Sequence, residues 1–192
     1  VRAAQEQRTT KETQVLCKVE LDGQGVSVID CQVPFLSHML EQFARFSHVD
    51  LELAAHGDVN VDPHHLVEDV GIVLGRALSN ALGERNGIRR FGAAYAPLDE
   101  SLVRVVLDLS RRPYLEYHLD GLKGKVGQIQ SEVLEEFWKG LAINLEAAIH
   151  VDQIRGRNRH HIAEASFKAL GLAFGDAICI TNQGVPSTKG IL

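Results

Sequence analysis

Two stretches of this chain are copies of one another. DPHHLVEDVGIVLGRAL, from Asp62, and NRHHIAEASFKALGLAF, from Asn158, align without a gap at an offset of half the 192-residue length. A segment repeated at that spacing restricts the chain to two like half-domains with equivalent helices in equivalent places. The copies share more than apolar periodicity. Both carry His-His-x-x-Glu, which repeats His64/His160, His65/His161 and Glu68/Glu164, the residue types that hold a transition metal. Two metal-binding half-domains are the first expectation.

The rest of the chain reads as alternating strands and helices. In TQVLCKVEL the apolar residues Val15, Cys17, Val19 and Leu21 alternate with polar ones, which predicts a half-buried strand, and VDLELAA from Val49 reads the same way. LSHMLEQFARF between them has helical composition. LVRVVLDL from Leu102 predicts a buried strand, SEVLEEFWKGLAINLEAA from Ser131 a long helix, and IHV at Ile149 a strand. HMLEQFARF at His38 also lies over EVLEEFWKG at Glu132, so each half has the predicted order strand, helix, strand, helix. The expected fold class is α+β. Duplicated half-domains, each a small mixed β-sheet with helices on one face, pack as a sandwich, with repeats of roughly residues 1–90 and 91–192 in a single domain.

Composition narrows the partners. A formal charge of -5 without a long basic run speaks against a nucleic-acid surface, yet leaves room for a small cationic pocket. Cys17, Cys31 and Cys179 are odd in number and widely spaced, which suggests neither a disulfide framework nor a thiolate zinc site and fits a reducing, cytoplasmic setting. VRAAQEQRTTKET has no apolar core of signal-peptide length, and no apolar stretch reaches the roughly 18 residues of a membrane span. The expected partner is a small molecule.

A helix start is a sensible place for this motif. Asp62 followed by Pro63 reads as an N-cap with proline at the first helical position, and Asn158 holds the equivalent cap. Residues four apart share a face, so His64 and Glu68 can share a cation, while His65 points about 100° away and can serve another. The helix dipole disfavours imidazolium at this end by up to about 1 kcal/mol, which keeps the rings neutral and able to ligate.

With their flanks, these residues resemble the imidazoleglycerol-phosphate dehydratase family of histidine biosynthesis. The resemblance runs through RTTKET from Arg8, LDGQG from Leu21, PFLSHMLEQ from Pro34, GDVNVDPHHLVED from Gly57, ALGERNGIRRFG from Ala81 and PLDESL from Pro97. It continues through RRPYLEY from Arg111, GRNRHHIAEASFKAL from Gly156 and VPSTKGIL from Val185. It implies a hydro-lyase with a duplicated fold of the ribosomal protein S5 domain 2-like type, assembled as a homo-24-mer with two Mn2+ per active site and sites between subunits. The implied ligands are His38, His64, His65, Glu68, His150, His160, His161 and Glu164. Nitrogen and oxygen donors suit manganese, and the same set accommodates zinc, iron or cobalt.

The implied reaction dehydrates D-erythro-imidazole glycerol phosphate to imidazole acetol phosphate, and it must remove a carbon-bound proton that no carbonyl acidifies. A metal-bound imidazolate that expels the neighbouring hydroxyl, through a diazafulvene-like intermediate, meets that difficulty. Glu12 in TKET is the implied base. Arg90, Arg112, Lys168, Ser187 and Lys189 are the implied phosphate cradle, and Gln42 lines the pocket or packs in the helix core. The chain departs from the family at Ser37 and Pro63, where Asp is usual, at Leu66, where Thr is usual, and at Phe46, where His is usual. Loss of a carboxylate beside His38 would loosen that ring. His48, His56 and His118 read as surface or structural residues. Two other readings stay open: a retired, metal-assembled structural homologue, and a metal-dependent hydrolase, although HHxxE is not the HExxH order of zinc peptidases.

Overall fold

A computed structural model describes residues 1–181 and 184–190. The first half runs β1 (Ala3–Thr9), β2 (Thr13–Glu20), β3 (Ser27–Cys31), α1 (Pro34–Ser47), β4 (Asp50–Gly57) and α2 (His64–Leu82). The second half repeats that order. It runs β5 (Phe91–Leu98), β6 (Ser101–Asp108), β7 (Tyr114–His118), a small hairpin of β8 (Lys125–Val126) and β9 (Ile129–Gln130), α3 (Ser131–Leu145), β10 (Ala148–Arg155) and α4 (Arg159–Ala177).

The two four-stranded sheets have the orders β1-β2-β4-β3 and β5-β6-β10-β7. In each, two antiparallel pairings are followed by one parallel edge strand, β3 on β4 and β7 on β10. The chain is therefore α+β with duplicated halves.

Each half has more strands than the predicted order of strand, helix, strand, helix. β1, β3 and β7 are edge strands without one fully buried residue. Sequences such as AAQEQRT need no apolar alternation there, and so give no strand signal. LVRVVLDL is also corrected: Val103, Val105 and Leu107 are buried, but Leu102, Arg104 and Val106 turn to the half-exposed outer face. Arg104 marks that face, since charged residues are rarely buried on both sides of a sheet.

Val15, Cys17 and Val19 on β2 and Leu51, Leu53 and Ala55 on β4 point inward, as do Val103, Val105 and Leu107 on β6 and Ile149 and Val151 on β10. All join one continuous apolar core with the helices. α2 lies on its own β1 and β2 but packs against α3 of the other half, while α4 lies on β5 and β6 and packs against α1. These helix pairs meet backbone to backbone. A methyl added at Gly71 would lie 2.3 Å from the Phe137 carbonyl oxygen, and one at Gly171 would lie 2.8 Å from that of Phe43. The cross-packing brings α1 of the first half to the start of α4.

The second motif helix starts where the sequence suggests, and the first starts one residue later. Asn158 accepts the backbone N–H groups of His160 at 3.0 Å and His161 at 3.3 Å. In the first copy the helix begins at His64, one residue later than predicted. Pro63 is the cap residue, with φ -69° and ψ -5°, and Asp62 Oδ1 accepts the N–H of His64 at 2.7 Å. The side chain that satisfies the free donor is the predicted one, displaced by one position.

The three cysteines are free. Burial pushes the Cys17 thiol up to about 12, so it stays an inert core residue. Among the described residues no helix is long and apolar enough to cross a membrane.

Candidate metal centre

The second copy of the motif forms the tighter cluster. Glu164 Oε2 lies 2.9 Å from His38 Nε2 and 3.1 Å from His160 Nε2, while its Oε1 accepts from Lys168 Nζ at 2.7 Å. His160, Glu164 and Lys168 follow at four-residue steps on one face of α4, and His38 reaches them from α1. Glu164 is 9% exposed. Burial works against its charge, but the bonds from Lys168, His38 and His160 prevail and hold its carboxyl down at about 2. A carboxylate kept ionised between two imidazole nitrogens is a donor set ready for a divalent cation.

The first copy is arranged similarly but more openly. His64 Nε2 stands 3.7 Å from Glu68 Oε2. His65 turns aside, as the helical angle requires, and its Nδ1 lies 3.0 Å from Asp58 Oδ2 and 3.6 Å from Glu12 Oε2. The Asp58 bond, helped by the charge of Glu12, raises the pKa of His65. His161 behaves alike: its Nδ1 lies 2.8 Å from Glu100 Oε2, with Asp99 4.0 Å from the other nitrogen. The His161 bond, followed by the N–H groups of Asn158 and Arg157, lowers the pKa of Glu100 far below the carboxylate range.

Glu12 reaches this place because RTTKET is fastened to α2. Asp69, 6% exposed, accepts from Arg8 Nε at 2.8 Å and from the Thr13 hydroxyl. Thr10 Oγ1 accepts the N–H groups of Glu12 and Thr13, both at 3.0 Å. Asp58 N donates to the Glu12 carbonyl at 3.0 Å. Glu12 is thus an exposed carboxylate on a well-tied turn between β1 and β2.

Four of the five cradle residues gather elsewhere. Arg90, Arg112, Ser187 and Lys189 line one groove of about 540 Å³ with Phe91, Pro186 and Thr188. Arg90 is mostly engaged. It forks onto Asp108 at 2.6 and 3.0 Å, donates to the Pro186 carbonyl at 2.8 Å and lies over the Phe91 ring at 4.7 Å. Arg112 is the freer cation, its side chain 68% exposed and 3.7 Å from Asp108. Lys168 stands apart from this groove, on Glu164. Gln42 is half-buried on α1. His150 is exposed on β10, its ring 6.1 Å from that of Tyr114. The eight implied ligands do not meet at one point in one chain. Among the described residues, the converging groups are His38, His160 and Glu164, and Glu12, Asp58 and His65.

The departures from the family pattern find local explanations. The Ser37 hydroxyl turns back to the Val33 carbonyl at 3.4 Å, and Glu41, one turn on, supplies a carboxylate 3.7 Å from His38 Nδ1. Leu66 is completely buried in the core. The Phe46 ring lies 5.9 Å from Lys168 Nζ, an aromatic face beside a cation. His56 pairs with Asp30 and His118 with Glu116. His48 ends α1 in the left-handed conformation. Sequence reasoning missed Asp58, Asp69, Glu100 and Asp108. Asp58 and Glu100 lie inside the quoted GDVNVDPHHLVED and PLDESL, but their partners emerge only when a loop and a β-turn fold onto the helix starts.

Fold and site define a class: a duplicated α+β protein with imidazole–carboxylate clusters at the starts of two equivalent helices. Residues 31–174 match the family model "Imidazoleglycerol-phosphate dehydratase". A relative of that name from Alkalilimnicola ehrlichii is 49% identical over 194 residues, covering 100% of this chain and 98% of the relative. Another from Bordetella avium is 47% identical over 195 residues, covering 100% of both. The crystal structure of imidazoleglycerol-phosphate dehydratase from Staphylococcus aureus is similar with a TM-score of 0.84 at 41% identity, covering 93% of this chain and 99% of that one. The enzyme from Pyrococcus furiosus, solved in complex with (S)-C348, gives 0.85 at 40% identity, covering 97% and 99%. The chain belongs to the imidazoleglycerol-phosphate dehydratase family, the hydro-lyases of histidine biosynthesis.

Proposed function

We propose that the chain dehydrates D-erythro-imidazole glycerol phosphate to imidazole acetol phosphate and water in L-histidine biosynthesis, with two Mn2+ per active site. The observation that carries the metal reading is Glu164, whose one carboxylate oxygen is reached by both His38 and His160. The donors are nitrogen and oxygen only, which suits manganese. His38, His64, His65, Glu68, His150, His160, His161 and Glu164 would hold the ions. Bound Mn2+ would supply Lewis acidity at the substrate's ring nitrogens, making the ring easier to deprotonate and a better source of electrons.

Glu12 is the base. The hydroxyl on the carbon next to the ring leaves as Glu12 takes the proton from the neighbouring carbon, that proton passes to the leaving oxygen to complete water, and the resulting enol rearranges to the ketone. Its exposed position on a tied turn, 3.6 Å from His65, suits a group that must reach a substrate beside the metal. Arg112, Lys189 and Ser187 receive the phosphate, and Arg90 builds the groove through Asp108. Lys168 holds Glu164 charged. Because the ligands stand in separate patches of one chain, a second copy completes each site, in keeping with a cytoplasmic homo-24-mer. One domain with repeats near 1–90 and 91–192 supplies both helix starts.

The test is to strip the protein of metal, restore Mn2+ and measure imidazole acetol phosphate. Product that depends on manganese supports the reading; no product from fully loaded protein refutes it. Glu12→Gln should keep its metal and lose turnover, and full retained activity would remove Glu12 from the role.

A further inference from the structure

The duplication copied the two histidines of each motif but not the carboxylates behind the second one. Asp58 comes from the loop that leads directly into α2, whereas Glu100 comes from the tight turn between β5 and β6 and reaches His161 across the fold. The residue at the Asp58 position of the second repeat is Ile154, an exposed apolar side chain. Each half has therefore found its own carboxylate for the same ring nitrogen, Nδ1. Inheritance from the duplicated segment does not produce that match.

From this convergence we infer that Glu100 is a positioning residue that fixes His161 as the Nδ1–H tautomer, leaving the Nε2 lone pair free for a metal, and that Asp58 does the same for His65. The inference rests on the reading of His65 and His161 as ligands. A neutral imidazole carries one N–H, and a carboxylate accepts but does not donate, so the nitrogen facing it must bear the proton. Carboxylates placed behind ligating imidazoles in this way orient the ring and strengthen it as a donor.

Glu100 is itself held firmly. Its Oε1 accepts from Arg157 N at 3.1 Å, Asn158 N at 2.8 Å and Ser101 Oγ at 3.0 Å, leaving Oε2 for His161 at 2.8 Å. Asp58 is less constrained, because its Oδ1 is buried without a hydrogen-bond partner. Conservative amides should therefore behave differently at the two positions. In Glu100→Gln the carbonyl must stay with the two backbone N–H donors, so the NH2 faces His161 Nδ1 and donates to it. That moves the ring proton to Nε2 and blocks the metal-binding lone pair. In Asp58→Asn nothing fixes the second oxygen's place, so the amide can present its carbonyl to His65 and preserve the tautomer.

The experiment is nitrogen-15 solid-state NMR of histidine-labelled, metal-free protein, with His161→Ala used to assign the signal, followed by Mn2+ titration read by the EPR of free Mn2+. His161 should be Nδ1–H in the parent and Nε2–H in Glu100→Gln, with Mn2+ affinity lower by tenfold or more at one site. Asp58→Asn should keep both tautomer and affinity closer to the parent. An Nε2–H tautomer in the parent, or Glu100→Gln with unchanged tautomer and affinity while His161→Ala loses an ion, would overturn the positioning role alone. His161→Ala that still binds both ions would overturn the ligand reading and this inference with it.

Discussion

Adding one methyl group at Gly71 should destabilise the protein although it improves an α-helix. In an unconstrained helix, Gly→Ala is favourable by about 1 kcal/mol. Here the new Cβ would sit 2.3 Å from the Phe137 carbonyl oxygen and 3.1 Å from the Phe137 carbonyl carbon. Both are rigid backbone atoms, so relief requires α2 and α3 to separate by about 1 Å, a gap that forfeits a quarter to a half of each contact's dispersion energy along the seam. Overpacking of this kind costs about 1–3 kcal/mol. Because the overlap is with rigid backbone, the upper part of that range applies, about 2–3 kcal/mol, and set against the helical gain a net loss of about 1–2 kcal/mol is expected.

Gly140→Ala, on the facing helix, meets the Glu68 carbonyl oxygen and Ile72 nitrogen at 3.0 Å, and should cost less. Urea unfolding monitored by circular dichroism would check both, at matched metal content. Glu68 and His64 lie at the start of the displaced helix, so Gly71→Ala should also weaken Mn2+ binding. If Gly71→Ala equals or exceeds the parent in stability, or if Gly140→Ala is the more damaging of the two, the backbone-contact reasoning fails.

Removing Asp69 leaves the buried Thr13 hydroxyl and the part-exposed Arg8 without their shared acceptor, so Asp69→Ala should cost about 1–3 kcal/mol in the same urea assay. It should also lower kcat more than metal content, because the turn bearing Glu12 loses its anchor; unchanged stability and kcat would refute this. Asp50 accepts the backbone N–H groups of Val26 and Gln24, which lower its pKa below the ordinary 3.8. A depressed folded-state pKa contributes stability that is present above about 3.8 and lost as pH falls through the folded value. Asp50→Asn should therefore flatten the acid side of the stability profile, and an identical acid limb in parent and variant would contradict that. Arg112→Ala should raise KM while leaving manganese content unchanged; an unaltered KM would place phosphate binding elsewhere.

By itself the sequence determined the duplication, the motif helices, their side-chain caps and the alternating burial of β2 and β4. These are local matters: a helix face repeats every few residues, and a half-buried strand must alternate. The edge strands stayed hidden because their side chains bury little, so no apolar pattern was required of them. Only the tertiary structure decided that α4 packs on α1 and α2 on α3, which carries His38 from one half to His160 and Glu164 in the other. The same packing put Phe46 beside Lys168 and left Lys168 on Glu164 rather than in the Arg112 groove, while the loop before α2 and the β5–β6 turn set Asp58 and Glu100 behind their histidines. Such pairings depend on close helix contact and on which loops fold over a helix start, and residue spacing along a chain does not encode either.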